Sequence, residues 1–267
     1  MQWFMEQSGI TQAFLASLFT WGMTAAGAAL VFFFVRVRQN IMDSMLGFAA
    51  GVMTAASFFS LLNPSLDFAS EIGIPGYIPA VTGFLAGCAF LWLTDRLVPH
   101  MHNETKHVEG LRSKLGKSFL LILAVTIHNI PEGLAVGVTF GAASQINDKS
   151  MLFGAVALAI GMGLQNFPEG AAVSLPARQN GNSVFTSWYY GQFSGLVEIP
   201  AALLGALAIT YVKPILPYFM SFAAGAMIYV VFDELIPEAH ADGKKAIVTI
   251  MAVLGFAVMM FLDVALG

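Results

Sequence analysis

Eight long apolar runs dominate the hydrophobic pattern: 12–35, 41–62, 76–94, 118–141, 151–176, 184–210, 215–239 and 245–266. Each is apolar around its circumference rather than along one stripe, and each comes close to or exceeds the roughly 20 residues a helix needs to cross a bilayer. Barrel strands would alternate apolar and polar residues over segments of about ten; these runs are too long and too uniform. The pattern predicts an all-α integral membrane protein, one domain over residues 1–267 with eight transmembrane helices. Only the loop 95–117 is sizeable. The other connections are short, so neighbouring helices are predicted to be antiparallel.

Charge placement orients this arrangement. With the amino terminus outside, the inner segments carry Arg36, Arg38, Arg96, Lys106, Arg112, Lys114, Lys117, Arg178, Lys244 and Lys245, and the outer ones only Lys149 and Lys213. Lysine and arginine collect on the cytoplasmic side, so both termini are expected to be extracytoplasmic and the 95–117 loop cytoplasmic. Glu6 precedes the first run, no Lys or Arg does, and Arg36 and Arg38 follow it. That order predicts a retained span rather than a cleaved signal peptide.

Two internal similarities organise the helices. His128-Asn129-Ile130-Pro131-Glu132-Gly133 in the fourth run matches Gln165-Asn166-Phe167-Pro168-Glu169-Gly170 in the fifth. Gly47-Phe48-Ala49-Ala50-Gly51-Val52-Met53 in the second matches Ser221-Phe222-Ala223-Ala224-Gly225-Ala226-Met227 in the seventh. Within each pair the helices run in opposite directions, the trace an inverted repeat leaves. Inverted repeats favour transporters with sites near the membrane midplane.

Composition agrees. The chain is 57% hydrophobic and 10% charged, with a mean hydropathy of +0.75, against roughly 25% charged in soluble domains. The net charge of −4 and scattered basic residues exclude a nucleic-acid surface. The single cysteine, Cys88, cannot form an internal disulfide and reads as a small buried apolar residue.

The two hexapeptides carry the chemistry. Ionisable groups inside a membrane are costly and mark functional sites. His128 and Glu132 are four apart and share a helix face; imidazole and carboxylate suit zinc and its first-row neighbours. Pro131 and Pro168 lack an amide hydrogen and clash with the preceding turn, so kinks are expected there, with the carbonyls of Ile127 and Leu164 freed to line a cavity. Both motifs lie near the bilayer centre at 1.5 Å per residue. The antiparallel pair would therefore present His128, Asn129, Glu132, Gln165, Asn166 and Glu169 as one cluster.

Glu198, mid-span in the sixth run, is a third membrane carboxylate, either a helix-packing acid or a further ligand. Met53 on its own reads as packing. Asp233, Glu234 and Glu238 descend the seventh run to His240 at its cytoplasmic end, an acidic trail that attracts a cation or interfacial charges that snorkel. Asp67 and Glu71, past the second run, read as an entrance or a solvated loop. His100, His102 and His107 in the cytoplasmic loop form a tract that can bind metal weakly or a linker without a closed site.

The paired motifs resemble the ZIP (Zrt/Irt-like) divalent metal transporters, and Gln165-Asn166 at the head of the second motif is most similar to the GufA branch. The resemblance implies a homodimer in a plasma membrane (a bacterial inner membrane) and an elevator movement of the first, fourth, fifth and sixth spans against the second, third, seventh and eighth. It implies a binuclear site: His128, Glu132, Gln165 and Glu169 for one ion, and Asn129, Asn166 and Glu198 with shared Glu132 and Glu169 for the other. It also implies Met53 as a ligand, Asp67 at the entrance, and Asp233 and Glu234 on the exit path. Some relatives have a carboxylate where this chain has Asn166, and a neutral amide weakens the second position.

The expected function is uptake of a divalent transition metal, Zn²⁺ foremost with Cd²⁺, Fe²⁺, Mn²⁺ and Co²⁺ as further cargoes, and no cofactor beyond the cargo. No P-loop is present in the sequence. Two rival classes remain open on sequence: an intramembrane zinc hydrolase built on His128, Glu132 and Glu169, for which no His-Glu-x-x-His motif exists, and a metal sensor that does not transport.

Overall fold

The computed structural model describes residues 2–34, 37–97, 100–101, 108–109, 117–146, 149–211, 213–239 and 245–266. Long helices build it. We number them α1 (Gly9–Phe32), α2 (Gln39–Glu71), α3 (Tyr77–Leu97), α4 (Lys117–Ile146), α5 (Lys149–Gln179), α6 (Val184–Gly195 continued by Glu198–Tyr211), α7 (Leu216–Ala239) and α8 (Lys245–Leu266). Apart from a short turn of helix at Gln2–Met5 and a two-residue antiparallel pairing of His100–Met101 with Val108–Glu109, this is the regular structure among the described residues, with brief 3₁₀ turns. Seven of the long helices are long and apolar enough to cross a membrane; α4, which carries the fourth apolar run, is 30 residues long and is not among the seven.

The helices pack in two groups. In one, α1 lies along α5 and α4 along α6; in the other, α2 lies along α8 and α3 along α7. Glycines set these approaches. A Cβ at Gly51 would overlap the Ala252 carbonyl and one at Gly255 that of Phe48, joining α2 to α8. A Cβ at Gly225 would overlap the Phe84 carbonyl and one at Gly87 that of Phe222, joining α7 to α3. Phe48-x-x-Gly51 and Phe222-x-x-Gly225 are the matched segments of the sequence repeat, so the repeat extends to tertiary contacts. Small residues let membrane helices approach backbone to backbone. Gly51→Val is expected to cost about 1–3 kcal/mol through overpacking, read as a lower melting temperature in detergent. Gly22→Val, where a Cβ meets no atom within 4 Å, is the neutral control.

The repeat also fixes where helices deform. A π-helical stretch, Ser57–Leu62, begins four residues after Met53, and another, Val231–Leu235, begins four after Met227. In each, α-helix resumes one residue before a proline, Pro64 or Pro237. The proline ring clashes with the carbonyl four residues back, and a wider turn relieves the clash. Such bulges are frequent at functional sites.

Pro131 and Pro168 sit within helices that continue through them. The interruption comes in α6, at Leu196-Val197, ahead of Pro200. Glu198 therefore opens a new helical segment instead of sitting mid-helix, where the positive end of the helix dipole favours a carboxylate.

The same symmetry appears at helix starts. Ser8 caps α1 by accepting from the Thr11 amide at 3.2 Å, and Ser183 caps α6 by accepting from the Thr186 amide at 3.1 Å. Each cap satisfies one of the amides a helix start leaves orphaned. Across the first group, the Trp21 indole donates to the Gln192 carbonyl at 3.0 Å and the Trp188 indole to the Ala25 carbonyl at 3.2 Å, tying α1 to α6.

Candidate metal site

The two hexapeptides meet. Gly133 packs its backbone on Glu198 of α6, and Gly170 on Thr24 of α1. This closeness turns His128, Glu132, Gln165 and Glu169 toward the seam between the two helix groups. There they line a cavity of about 30 Å³ with Met53, Val125, Glu234, Leu235 and Glu238. That is room enough for a small guest such as a water molecule or a cation. His128, Glu132, Gln165 and Met53 are buried; Glu169 is partly buried.

The donors are poised for a cation. Glu132 Oε2 and Glu169 Oε2 are buried without a hydrogen-bond partner among the described residues, as is Asn129 Oδ1. Unpaired carboxylate oxygens inside a protein carry a desolvation cost that a metal ion removes. His128 Nδ1 lies 2.7 Å from Glu234 Oε2, a contact between α4 and the π turn of α7. The other ring nitrogen, Nε2, takes no part in that contact. Among the described residues no three His, Cys, Asp or Glu side chains close a compact metal site. The cavity lining instead mixes an imidazole, carboxylates, the Gln165 amide and the Met53 thioether.

The remaining hexapeptide residues point elsewhere. Asn129 donates from Nδ2 to the Ser194 carbonyl at 3.0 Å. Asn166 donates from Nδ2 to Glu198 Oε1 at 2.8 Å and to the Thr20 carbonyl at 3.2 Å. Asn129, Asn166 and Glu198 are buried behind the cavity rather than on its wall.

Two larger hollows flank the site. One, of about 320 Å³, is lined by Val37, Gln39, Met42, Leu175, Gln179 and Asn180 and shares Leu46, Ala172 and Glu238 with the metal cavity. The other, of about 350 Å³, holds Asp67, Glu71 and Asp263, with Ser60 donating to Asp263 Oδ1 at 2.6 Å. It shares no lining residue with the metal cavity. Asp67 and Glu71 belong to an extension of α2 and not to a loop.

On the acidic trail, Glu234 and Glu238 line the cavity, whereas Asp233 lies on the exposed side of α7. His240, His102 and His107 fall outside the described residues; His100 is described only as part of the short pairing. Sequence reasoning passed over Asp263, although an acid in the last apolar run was signal enough. It also passed over Thr20, whose hydroxyl donates to Glu198 Oε2 at 2.5 Å. A lone threonine between Phe19 and Trp21 in an apolar run gives no such signal.

Comparison with known proteins adds to this geometry. The profile of the family described as "ZIP Zinc transporter" matches residues 101–263. The "Zinc transporter ZIP11" of Homo sapiens is 40% identical, over 97% of this chain and 98% of its own length. The "Zinc transporter ZIPB" of Bordetella bronchiseptica is 36% identical over 91% of this chain and 78% of its own. The "Zinc transporter GufA" of Myxococcus xanthus is 34% identical over 95% and 98%.

Proposed function

The chain belongs to the ZIP zinc transporter family, and from that premise we propose that it carries Zn²⁺ across a membrane into the cytoplasm through the cavity between its two helix groups. It is a transporter and not an enzyme. One observation supports this site above all: Glu132 and Glu169, the matched glutamates of the two motifs, keep unpartnered buried oxygens on the lining of one small cavity.

The residues divide the work. The acids of the outer hollow, Asp67, Glu71 and Asp263, raise the local cation concentration. His128, Glu132, Gln165, Glu169 and Met53 replace the water the ion sheds. Carboxylates offset its charge, the amide adds a neutral oxygen, the imidazole adds a borderline nitrogen, and the thioether favours softer cations such as Zn²⁺ and Cd²⁺ over Mg²⁺. Glu234 and Glu238 continue the path toward the larger hollow that joins the site. Eight spans with both termini outside place that hollow on the cytoplasmic side, so this conformation releases inward.

Alternating access follows from the packing. The group α1, α4, α5 and α6 carries most of the donors, and α2 and α7 contribute Met53 and Glu234. Sliding the first group along the second moves the ion from one hollow to the other. A homodimer is the form in which the second group would be anchored.

The test is uptake of radioactive zinc by proteoliposomes with Cd²⁺, Fe²⁺, Mn²⁺ and Co²⁺ as competitors. Saturable uptake is expected, with Cd²⁺ the strongest competitor. Stoichiometric binding without flux would overturn the reading. Sidedness is checked separately. In a Cys88→Ser background, Ala172→Cys is expected to react with an impermeant thiol reagent added from the cytoplasmic side, and more slowly with zinc present. Reaction from the outer side alone would reverse the orientation.

A further inference from the structure

Behind the cavity the same helices hold a second polar cluster, centred on the Glu198 carboxylate. The Thr20 hydroxyl donates to Glu198 Oε2 at 2.5 Å. The Asn166 amide donates to Glu198 Oε1 at 2.8 Å and to the Thr20 carbonyl at 3.2 Å. The Gln165 amide donates to Asn166 Oδ1 at 2.7 Å. Both oxygens of Glu198 are thus occupied by protein donors, unlike Oε2 of Glu132 and of Glu169.

The assignment of His128, Glu132, Gln165 and Glu169 as ligands is the premise. On it, the geometry points to a hydrogen-bonded relay, Thr20–Glu198–Asn166–Gln165, that takes the place of a second ion and orients Gln165 toward the first.

The amide identity of Asn166 makes this so. Rotating its end group would set Oδ1 against Glu198 Oε1 and against the Thr20 carbonyl, and would set NH₂ against the donating Gln165 nitrogen. All three contacts select the orientation seen, as a network must when the atoms alone do not. An ionised carboxylate at 166 could donate to neither Glu198 nor Thr20, and two facing carboxylates need a cation or a shared proton between them. An amide there replaces that cation with its own two hydrogens.

The relay ends on a ligand. Gln165 Nε2 is held by Asn166 and also hydrogen-bonds Glu132. Its carbonyl oxygen is then the atom left for the ion, since an amide has one donor end and one acceptor end. Fixing a ligand's rotamer from behind is what outer partners of metal sites do. The relay spans α1, α5 and α6, and Asn129 adds α4 through the Ser194 carbonyl. All four helices of the first group are joined without touching the second, so the relay travels intact when that group moves.

Zinc content and zinc affinity of the purified full-length chain test the inference, in a background of His100→Ser, His102→Ser and His107→Ser to remove zinc from the loop. One zinc per chain is expected, and Glu132→Ala is expected to remove it. Glu198→Gln should keep one. Asn166→Asp should bind a second. Thr20→Val should keep one ion with affinity weakened on the order of tenfold, the usual cost of losing an outer partner, and Thr20→Ser should restore it because only the hydroxyl matters. Two ions in the background protein, one of them lost in Glu198→Gln, would overturn the relay. So would an Asn166→Asp protein that gains no ion, or unchanged affinity in Thr20→Val. A zinc count that Glu132→Ala leaves untouched identifies the premise as the failure.

Discussion

Glu132→Ala abolishes zinc uptake in proteoliposomes while the protein still folds and inserts: this is the largest effect expected. Changing an outer partner of a metal site costs about 10–100-fold in affinity, so removing a direct ligand should cost at least on the order of 100-fold. Glu132 is more than one ligand among several. Its Oε2 is unpartnered and it lines the cavity together with Glu169, so the alanine also removes half of the paired negative charge that draws an ion out of water. His128→Ala is expected to weaken uptake less, because it leaves both carboxylates in place. Thermal unfolding separates loss of function from loss of fold. An alanine introduces no clash and removes a buried carboxylate with an unpartnered oxygen, so the melting temperature in metal-free buffer should hold or rise. Normal uptake in both variants would mean that the ion travels elsewhere.

A covalent bridge between the helix groups should have an effect almost as large. Gly161 of α5 sits against the sulfur of Met259 of α8, close enough that a Cβ there would overlap it. Cysteines at both positions, with Cys88→Ser, should cross-link on mild oxidation or with a short bifunctional reagent. Uptake is then expected to fall to background and to return on reduction. Zinc binding by the cross-linked protein should persist, because the cavity lies away from this contact. Flux that survives complete cross-linking would exclude relative movement of α5 and α8.

The sequence carried much of this because membrane helices announce themselves. The first apolar run, expected at 12–35, is Gly9–Phe32, and the fifth, expected at 151–176, is Lys149–Gln179. The second was placed at 41–62 and continues to Glu71. Asn63-Pro64 reads as a stop, but a π turn absorbs the proline and the helix goes on. Proline positions were legible; which of them would interrupt or widen the α-helical turns was not. Pro64, Pro200 and Pro237 coincide with wide or interrupted turns, whereas α4 and α5 continue through Pro131 and Pro168. The outcome depends on what packs against the strained carbonyl, which no local pattern records.

The same holds for the site. His128, Glu132, Gln165 and Glu169 were legible because their residue types are costly in a membrane and they come as a repeated motif. Glu198 was legible as an acid, yet its partner was not. Thr20 reaches it from a helix 178 residues away in sequence, and a hydroxyl that donates to a carboxylate looks like any other small polar residue. Asp233 and Glu234 are neighbours in sequence, but only Glu234 faces the cavity, a distinction set by the π turn that carries them both.

The two flanking hollows also shape the electrical landscape of the membrane. Water filling hollows of about 320–350 Å³ would bring bulk potential inward and concentrate the transmembrane voltage on the layer between the hollow of Asp67 and the metal cavity, which share no lining residue. Moving one elementary charge through 100 mV is worth about 2.3 kcal/mol; a dication crossing that layer alone would collect about twice as much. A negative interior would then drive the loaded step directly, and uptake should accelerate with voltage even where the zinc concentrations on the two sides are equal.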